Sequence, residues 1–112
     1  MPRVLVSQFG AITRLGLHAL LEEEGCEVIE PENGPSQLLL HVDSDRPDVV
    51  ILNMDSGEDQ DLARRIVLGF PAVRVIVCSA ERPTMRVYLP FGSGESYESD
   101  LSSALLTEAV RG

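Results

Sequence analysis

The feature that most constrains this chain is a series of short apolar runs, each too short for a helix, alternating with longer segments of helical spacing. Val4-Leu5-Val6, Glu27-Val28-Ile29, Asp48 to Leu52 and Val73 to Cys78 are the runs. They are rich in β-branched residues, as strands are. Asp48-Val49-Val50-Ile51-Leu52 is the strongest, apolar without alternation, the pattern of a central parallel strand covered on both faces. Between the runs, Ala11 to Glu24 carries Ile12, Leu15, Ala19 and Leu20 on one helical face and is closed by Gly25. A second helix follows the turn Asn33-Gly34-Pro35, has its apolar face at Leu38 to Val42 and breaks at Asp45-Arg46-Pro47. A third runs from about Gly57 to Leu68 and stops at Gly69; Ser56 and Asp59 at its start have capping-box spacing, with Asp for the usual Glu or Gln. Strands alternating with helices predict an α/β fold with a parallel sheet covered on both faces.

The rest of the chain is less regular. Arg86 to Leu89 reads as a weaker fifth strand, Gly92 to Ser96 as a Gly/Ser-rich loop, and the last helix as starting near Ser99 with Leu101, Ala104 and Leu105 inward. The link Ala80 to Met85 has six residues and contains Pro83. A parallel crossover needs about a dozen, usually including a helix. The helix between the fourth and fifth strands is therefore expected to be reduced or absent, with the fifth element crossing in extended form, displaced, or replaced by a short helix. That leaves part of strand Val73–Cys78 open, so Val75, Val77, Arg86 and Tyr88 are the expected interaction surface.

At 112 residues and 44% hydrophobic, the sequence reads as a single domain, 1–112, with a real core and no repeat. No apolar run approaches the ~18 residues of a membrane span, and Met1-Pro2-Arg3 does not begin a signal peptide, so a cytoplasmic location is expected. The net charge of -9 argues against gripping nucleic acid or an anionic membrane. Every basic residue is arginine; there is no lysine. Cys26 and Cys78 read as small buried hydrophobes. His18 and His41 lack partners at ligand or triad spacing and read as surface or boundary residues. Glu22-Glu23-Glu24 reads as a solvated helix end, unfavourable for the helix dipole and suited to solubility or a basic partner. No GxSxG, Walker-type or GxGxxG motif is present.

Several stretches resemble the receiver domain of bacterial response regulators, in the variant attached to LuxR/NarL-type DNA-binding domains. Arg14-Leu15-Gly16-Leu17-His18-Ala19-Leu20-Leu21 is similar to that group's first helix and Pro47 to Leu52 to its third strand. Arg74 to Ser79 is similar to its fourth strand and Tyr88-Leu89-Pro90-Phe91 to the loop after its fifth. The resemblance implies a CheY-like, flavodoxin-like, doubly wound parallel sheet of five strands. Receiver chemistry uses an acceptor Asp at the end of the third strand and an acidic pair after the first strand to hold Mg²⁺. It also uses a Ser/Thr after the fourth strand and a Lys after the fifth. On this alignment the acceptor is Asn53, the acidic pair is Gln8 and Phe9, and the lysine position falls at Leu89 or a gap beside it; Ser79 alone is kept. Asp55, two residues past Asn53, reads as a solvated loop carboxylate.

The expectation is a non-enzymatic pseudo-receiver without metal or cofactor, a protein-interaction or dimerisation module that regulates transcription through another domain or a partner. The alternative is a receiver-like domain sensing a small molecule in the altered pocket, where open α/β sheets bind ligands. A flavodoxin-like enzyme ranks last, since no catalytic constellation is present.

Overall fold

The computed structural model describes residues 2–30, 35–55, 57–79, 81–91 and 95–111. Its elements are β1 (Arg3–Val6), α1 (Ala11–Glu23), β2 (Glu27–Ile29), α2 (Pro35–Asp45), β3 (Val49–Asn53), α3 (Gly57–Gly69), β4 (Arg74–Cys78), β5 (Thr84–Tyr88), β6 (Ser96–Asp100) and α4 (Ser103–Arg111). The strands form one sheet in the order β2-β1-β3-β4-β5-β6. The first four are parallel: Val4 pairs with Val28 and Val49, and Ile51 with Ile76. The α/β class and the mostly parallel CheY-like sheet are as the sequence predicts.

Two apolar layers sandwich that sheet. On one side Val4, Val6, Ile51, Ile76 and Cys78 meet Leu17 and Leu21 of α1 and Leu106, Ala109 and Val110 of α4. On the other, Leu5, Val50, Leu52, Val75 and Val77 meet Leu38 and Val42 of α2 and Leu62, Ala63 and Ile66 of α3. β3 is buried on both faces, which is why its sequence does not alternate. Gly25, at φ 78, ends α1 in a left-handed turn: its N–H donates to the Glu22 carbonyl, and the Cys26 N–H to that of Leu21.

The C-terminal third departs from expectation. The sheet has six strands, and the fifth runs antiparallel to β4, with Cys78 opposite Met85 and Val75 opposite Tyr88. β6 occupies residues expected to be loop and helix start, and returns antiparallel on β5. A five-residue link cannot carry a parallel crossover, but it closes a hairpin. No helix lies between β4 and β5 among the described residues, as the count predicts. Residues 92–94 of the expected loop lie outside the described residues, as do residues 31–34 and Ala80. α4 starts at Ser103, and its buried residues are Leu106, Ala109 and Val110; Ala104 and Leu105 face outward.

The hairpin also corrects the expected interaction surface. Val75 is 0% and Val77 4% exposed, so β4 is not an open apolar face. α3 and the ring of Tyr88 cover it. β5 alternates, with Met85 and Val87 buried and Thr84, Arg86 and Tyr88 half-exposed. An antiparallel ribbon of this kind leaves one face to water and needs no covering helix. Val77, Arg86 and Tyr88 line a groove of about 750 Å³ with Met54, Arg64 and Glu98. Arg86 is ion-paired to Glu98 across the hairpin. α1 also differs from prediction: Leu17 and Leu21 are buried, whereas Ile12 and Leu15 face solvent.

Truncation in urea unfolding checks this pattern. Met85→Ala should destabilise by about 2–5 kcal/mol, because it empties a packed site. Arg86→Ala should cost less than about 1 kcal/mol.

Candidate functional site

The carboxyl ends of the parallel strands converge where β1 hands over to the Ser7–Gly10 loop, β3 to Met54-Asp55, and β4 to Ser79. Ligand sites of open α/β sheets form at this edge. Four of the five predicted pocket residues gather here: Gln8, Phe9, Asn53 and Ser79. Leu89 does not. The Leu89 N–H donates to the Glu95 carbonyl, and the nearby Phe91 N–H to that of Pro71, just ahead of β4. Because β5 is reversed, its carboxyl end lies at the opposite edge of the sheet. The residue that faces Cys78 at the site is Met85.

Asn53 uses both ends of its amide. Nδ2 donates to the Gln8 carbonyl at 3.1 Å, and Oδ1 accepts from the Asp55 N–H at 2.9 Å, an Asx-type turn. The loops after β1 and β3 are thereby tied together. The Phe9 side chain turns into the core beside Leu17, and the Gln8 side chain is exposed.

The principal residue that sequence reading missed is Asp59, in the first turn of α3. It is 1% exposed. Its Oδ2 accepts from the Ser7 hydroxyl and from the Asn53 N–H, each at 2.7 Å. Its spacing from Ser56 suggested a cap, and Ser56 lies outside the described residues. The signal for burial was position alone: the residue falls where the helix start meets two strand ends, one carrying a serine. The site therefore has a buried carboxylate, delivered from α3 instead of β1 or β3.

Asp55 also differs from expectation. Its Oδ1 accepts from the Ser79 hydroxyl at 2.9 Å, bridging the loops after β3 and β4. Ser79 is 3% exposed, and its Oγ accepts from the N–H groups of Glu81 and Arg82, which holds the turn into the hairpin. A smaller cavity of about 270 Å³ adjoins the site, lined by Phe9, Thr13, Leu17, Cys78, Pro83 and Leu101, with Glu81 beside it. Burial pushes the Cys78 thiol up to about 12, so it stays neutral and non-nucleophilic. Cys26 is likewise raised, by burial first and then by Glu24. Both cysteines are free and buried, as predicted. His18 and His41 pair with Glu30 and Asp45, away from the site.

The donor set does not fit a receiver's Mg²⁺ site. A hard divalent cation takes several oxygen ligands, usually carboxylates. Gln8 and Phe9, which the resemblance aligns with the acidic pair, offer a solvent-exposed amide and a phenyl ring turned into the core. The Asn53 amide is engaged with backbone, and the two nearby carboxylates already accept hydrogen bonds from Ser7, Asn53 and Ser79. Among the described residues no group of three or more His, Cys, Asp or Glu is arranged to hold a metal.

Asp59→Ala should strand two donors, at about 1–3 kcal/mol each. A urea double-mutant cycle with Ser7→Ala should give a coupling above about 0.5 kcal/mol. Additive effects would contradict the hydrogen bond.

No family model and no curated protein matches the chain. Among solved structures it is similar to a response regulator from Thermotoga maritima, at 32% identity and a TM-score of 0.62, covering 71% of this chain and 67% of that one. With that identity over two thirds of each chain and the shared α/β architecture, the protein belongs to the response-regulator family as a receiver-like domain.

Proposed function

We propose that this domain is a pseudo-receiver that regulates by binding a protein partner or a second copy, without phosphoryl transfer. The observation that carries the reading is Asn53. The acceptor position holds an amide that bridges the Gln8 carbonyl and the Asp55 N–H, so it is a structural tie and a poor nucleophile. Phe9 in the core, the absence of lysine from the sequence, and the reversal of β5 support the same reading. The resemblance of Arg14 to Leu21 and Pro47 to Leu52 to LuxR/NarL-type receivers favours a role in transcription control. An acidic surface of net charge -9 suits a protein partner better than direct contact with DNA. The domain is read as cytoplasmic and non-enzymatic; no helix among the described residues is long and apolar enough to cross a membrane.

The 270 Å³ cavity favours a second reading, sensing of a small molecule. Its mostly apolar lining and the Glu81 carboxylate in its wall suit a small organic amine with an apolar body. A saturable rise in melting temperature with such amines would support it.

The main reading is tested by intact mass after incubation with acetyl phosphate and Mg²⁺. No phosphoryl adduct should form, and Mg²⁺ alone should leave the melting temperature unchanged. Asn53→Asp should also stay unmodified. It should be less stable than the parent, because a carboxylate oxygen then faces the Gln8 carbonyl. A phosphoryl adduct on the parent protein would overturn the reading.

A further inference from the structure

The sheet ends on two edges, β2 and β6. β2 is three residues long and offers a short ladder. β6 is five residues long and keeps unbroken register with β5, so it contains no bulge. The Leu89 N–H donates to the Glu95 carbonyl, and the Leu101 N–H to that of Pro83. In an antiparallel ladder such bonded pairs recur at every second residue, so the backbone of Tyr97 and Ser99 is turned to β5. The N–H and C=O groups of Ser96, Glu98 and Asp100 point the other way. The Asp100 carbonyl accepts from the Ser99 hydroxyl at 3.3 Å, which leaves it a second lone pair. Among the described residues no further strand pairs with this edge. Edges are usually blunted by short length, bulges, proline or lysine, because an open ladder recruits another strand. β6 carries none of these.

Charge selects the occupant. Glu98 and Asp100 lie on the strand and Glu95 just ahead of it, all exposed. Glu98 is paired with Arg86 on β5, whereas Glu95 and Asp100 have no ion pair among the described residues. A second copy would bring these three carboxylates against the same three, in a chain of net charge -9. The repulsion that excludes a second copy becomes attraction for a strand of opposite charge. We propose that an extended basic segment of a partner protein adds to the sheet here, antiparallel to β6.

Side-chain rows set the pattern the partner must carry. Its residues opposite Glu98 and Asp100 are arginine or lysine. Arg86, Glu98 and the partner's cation then form one row of alternating charge across three strands. On the other face Tyr97 is 43% exposed beside buried Val87, so the partner residue opposite it is β-branched or aromatic. Basic and apolar residues in alternation are therefore what this edge recognises. This inference rests on the reading of the domain as a partner-binding module and names the partner's chemistry and the surface it uses.

NMR titration of the full chain with a capped peptide, Arg-Val-Arg-Val-Arg, methylated at its valine amides, tests it. Those amides face away from β6, and their methylation stops the peptide from stacking on itself. The amide signals of Ser96, Glu98 and Asp100 should shift and their hydrogen exchange should slow, saturating with a Kd on the order of 0.1–1 mM. Methylation of the arginine amides instead keeps the charge but removes the ladder, and should abolish both effects. A peptide with glutamate in place of arginine should not bind. Arg86→Glu with Glu98→Arg keeps the hairpin ion pair, reverses the charge at the edge, and should weaken the arginine peptide about tenfold. Binding that survives methylation of the arginine amides, or no shift at the three β6 amides up to about 5 mM peptide, would overturn the proposal. Slowed exchange of those amides with rising protein concentration alone would place a second copy at the edge and overturn it too. A phosphoryl adduct after acetyl phosphate and Mg²⁺, with peptide binding intact, would support this edge and overturn the phosphorylation-independent reading.

Discussion

Everything else in the molecule depends on β3 lying between β1 and β4. Its backbone is hydrogen-bonded on both edges and its side chains are buried on both faces. Two opposed apolar layers follow from that one strand, and each must be covered by helices. α1 and α4 cover one layer, α2 and α3 the other. The loops at the carboxyl ends of β1, β3 and β4 are brought together as a consequence, and there the site residues meet.

Past β4 the constraint is released. The five residues from Ser79 to Pro83 cannot return the chain to the start of a parallel strand, so it turns back on itself. The polar-out alternation of Thr84 to Tyr88 suits a ribbon wet on one side. The reversal has a chemical consequence. In a receiver the end of the fifth strand approaches the acceptor, whereas here that end, at Tyr88 and Leu89, sits at the far edge of the sheet. The acceptor edge receives the start of the strand instead, with buried Met85 facing Cys78. Charge at the site comes from Asp59 on α3 and Asp55 in the loop between β3 and α3, and both carboxylates accept hydrogen bonds from neighbouring loops and strands.

The parallel half was legible because apolar runs without alternation have few other homes, and the boundaries of β2, β3 and α3 match closely. The hairpin was half-legible. The residue count excluded a helix between β4 and β5, and Thr84-Met85-Arg86-Val87-Tyr88 alternates, yet the parallel direction was carried over from the resemblance. Ser96-Tyr97-Glu98-Ser99-Asp100 has almost no strand propensity of its own and pairs because β5 offers a partner. α1 is ambiguous for another reason: with apolar residues on two faces, periodicity cannot say which is inward, and of the expected face Ile12, Leu15 and Ala19 point to solvent while Leu20 packs on the core beside Leu17 and Leu21. Asp59 could not be found by pattern, since burial of a carboxylate depends on donors that lie 52 and 6 residues away in sequence.

Reversal of the fifth strand carries its Leu89 end away from Asn53 and Ser79. Interstrand nuclear Overhauser effects test it directly. In the antiparallel register Cys78–Met85 and Ile76–Val87 are non-hydrogen-bonded pairs, whose Cα atoms lie about 4.5 Å apart. Strong Hα–Hα cross-peaks are expected for both pairs, with none linking Leu89 to Asn53 or Ser79. Absence of those two cross-peaks, together with contacts from Leu89 to Asn53 or Ser79, would show a parallel fifth strand and contradict the account.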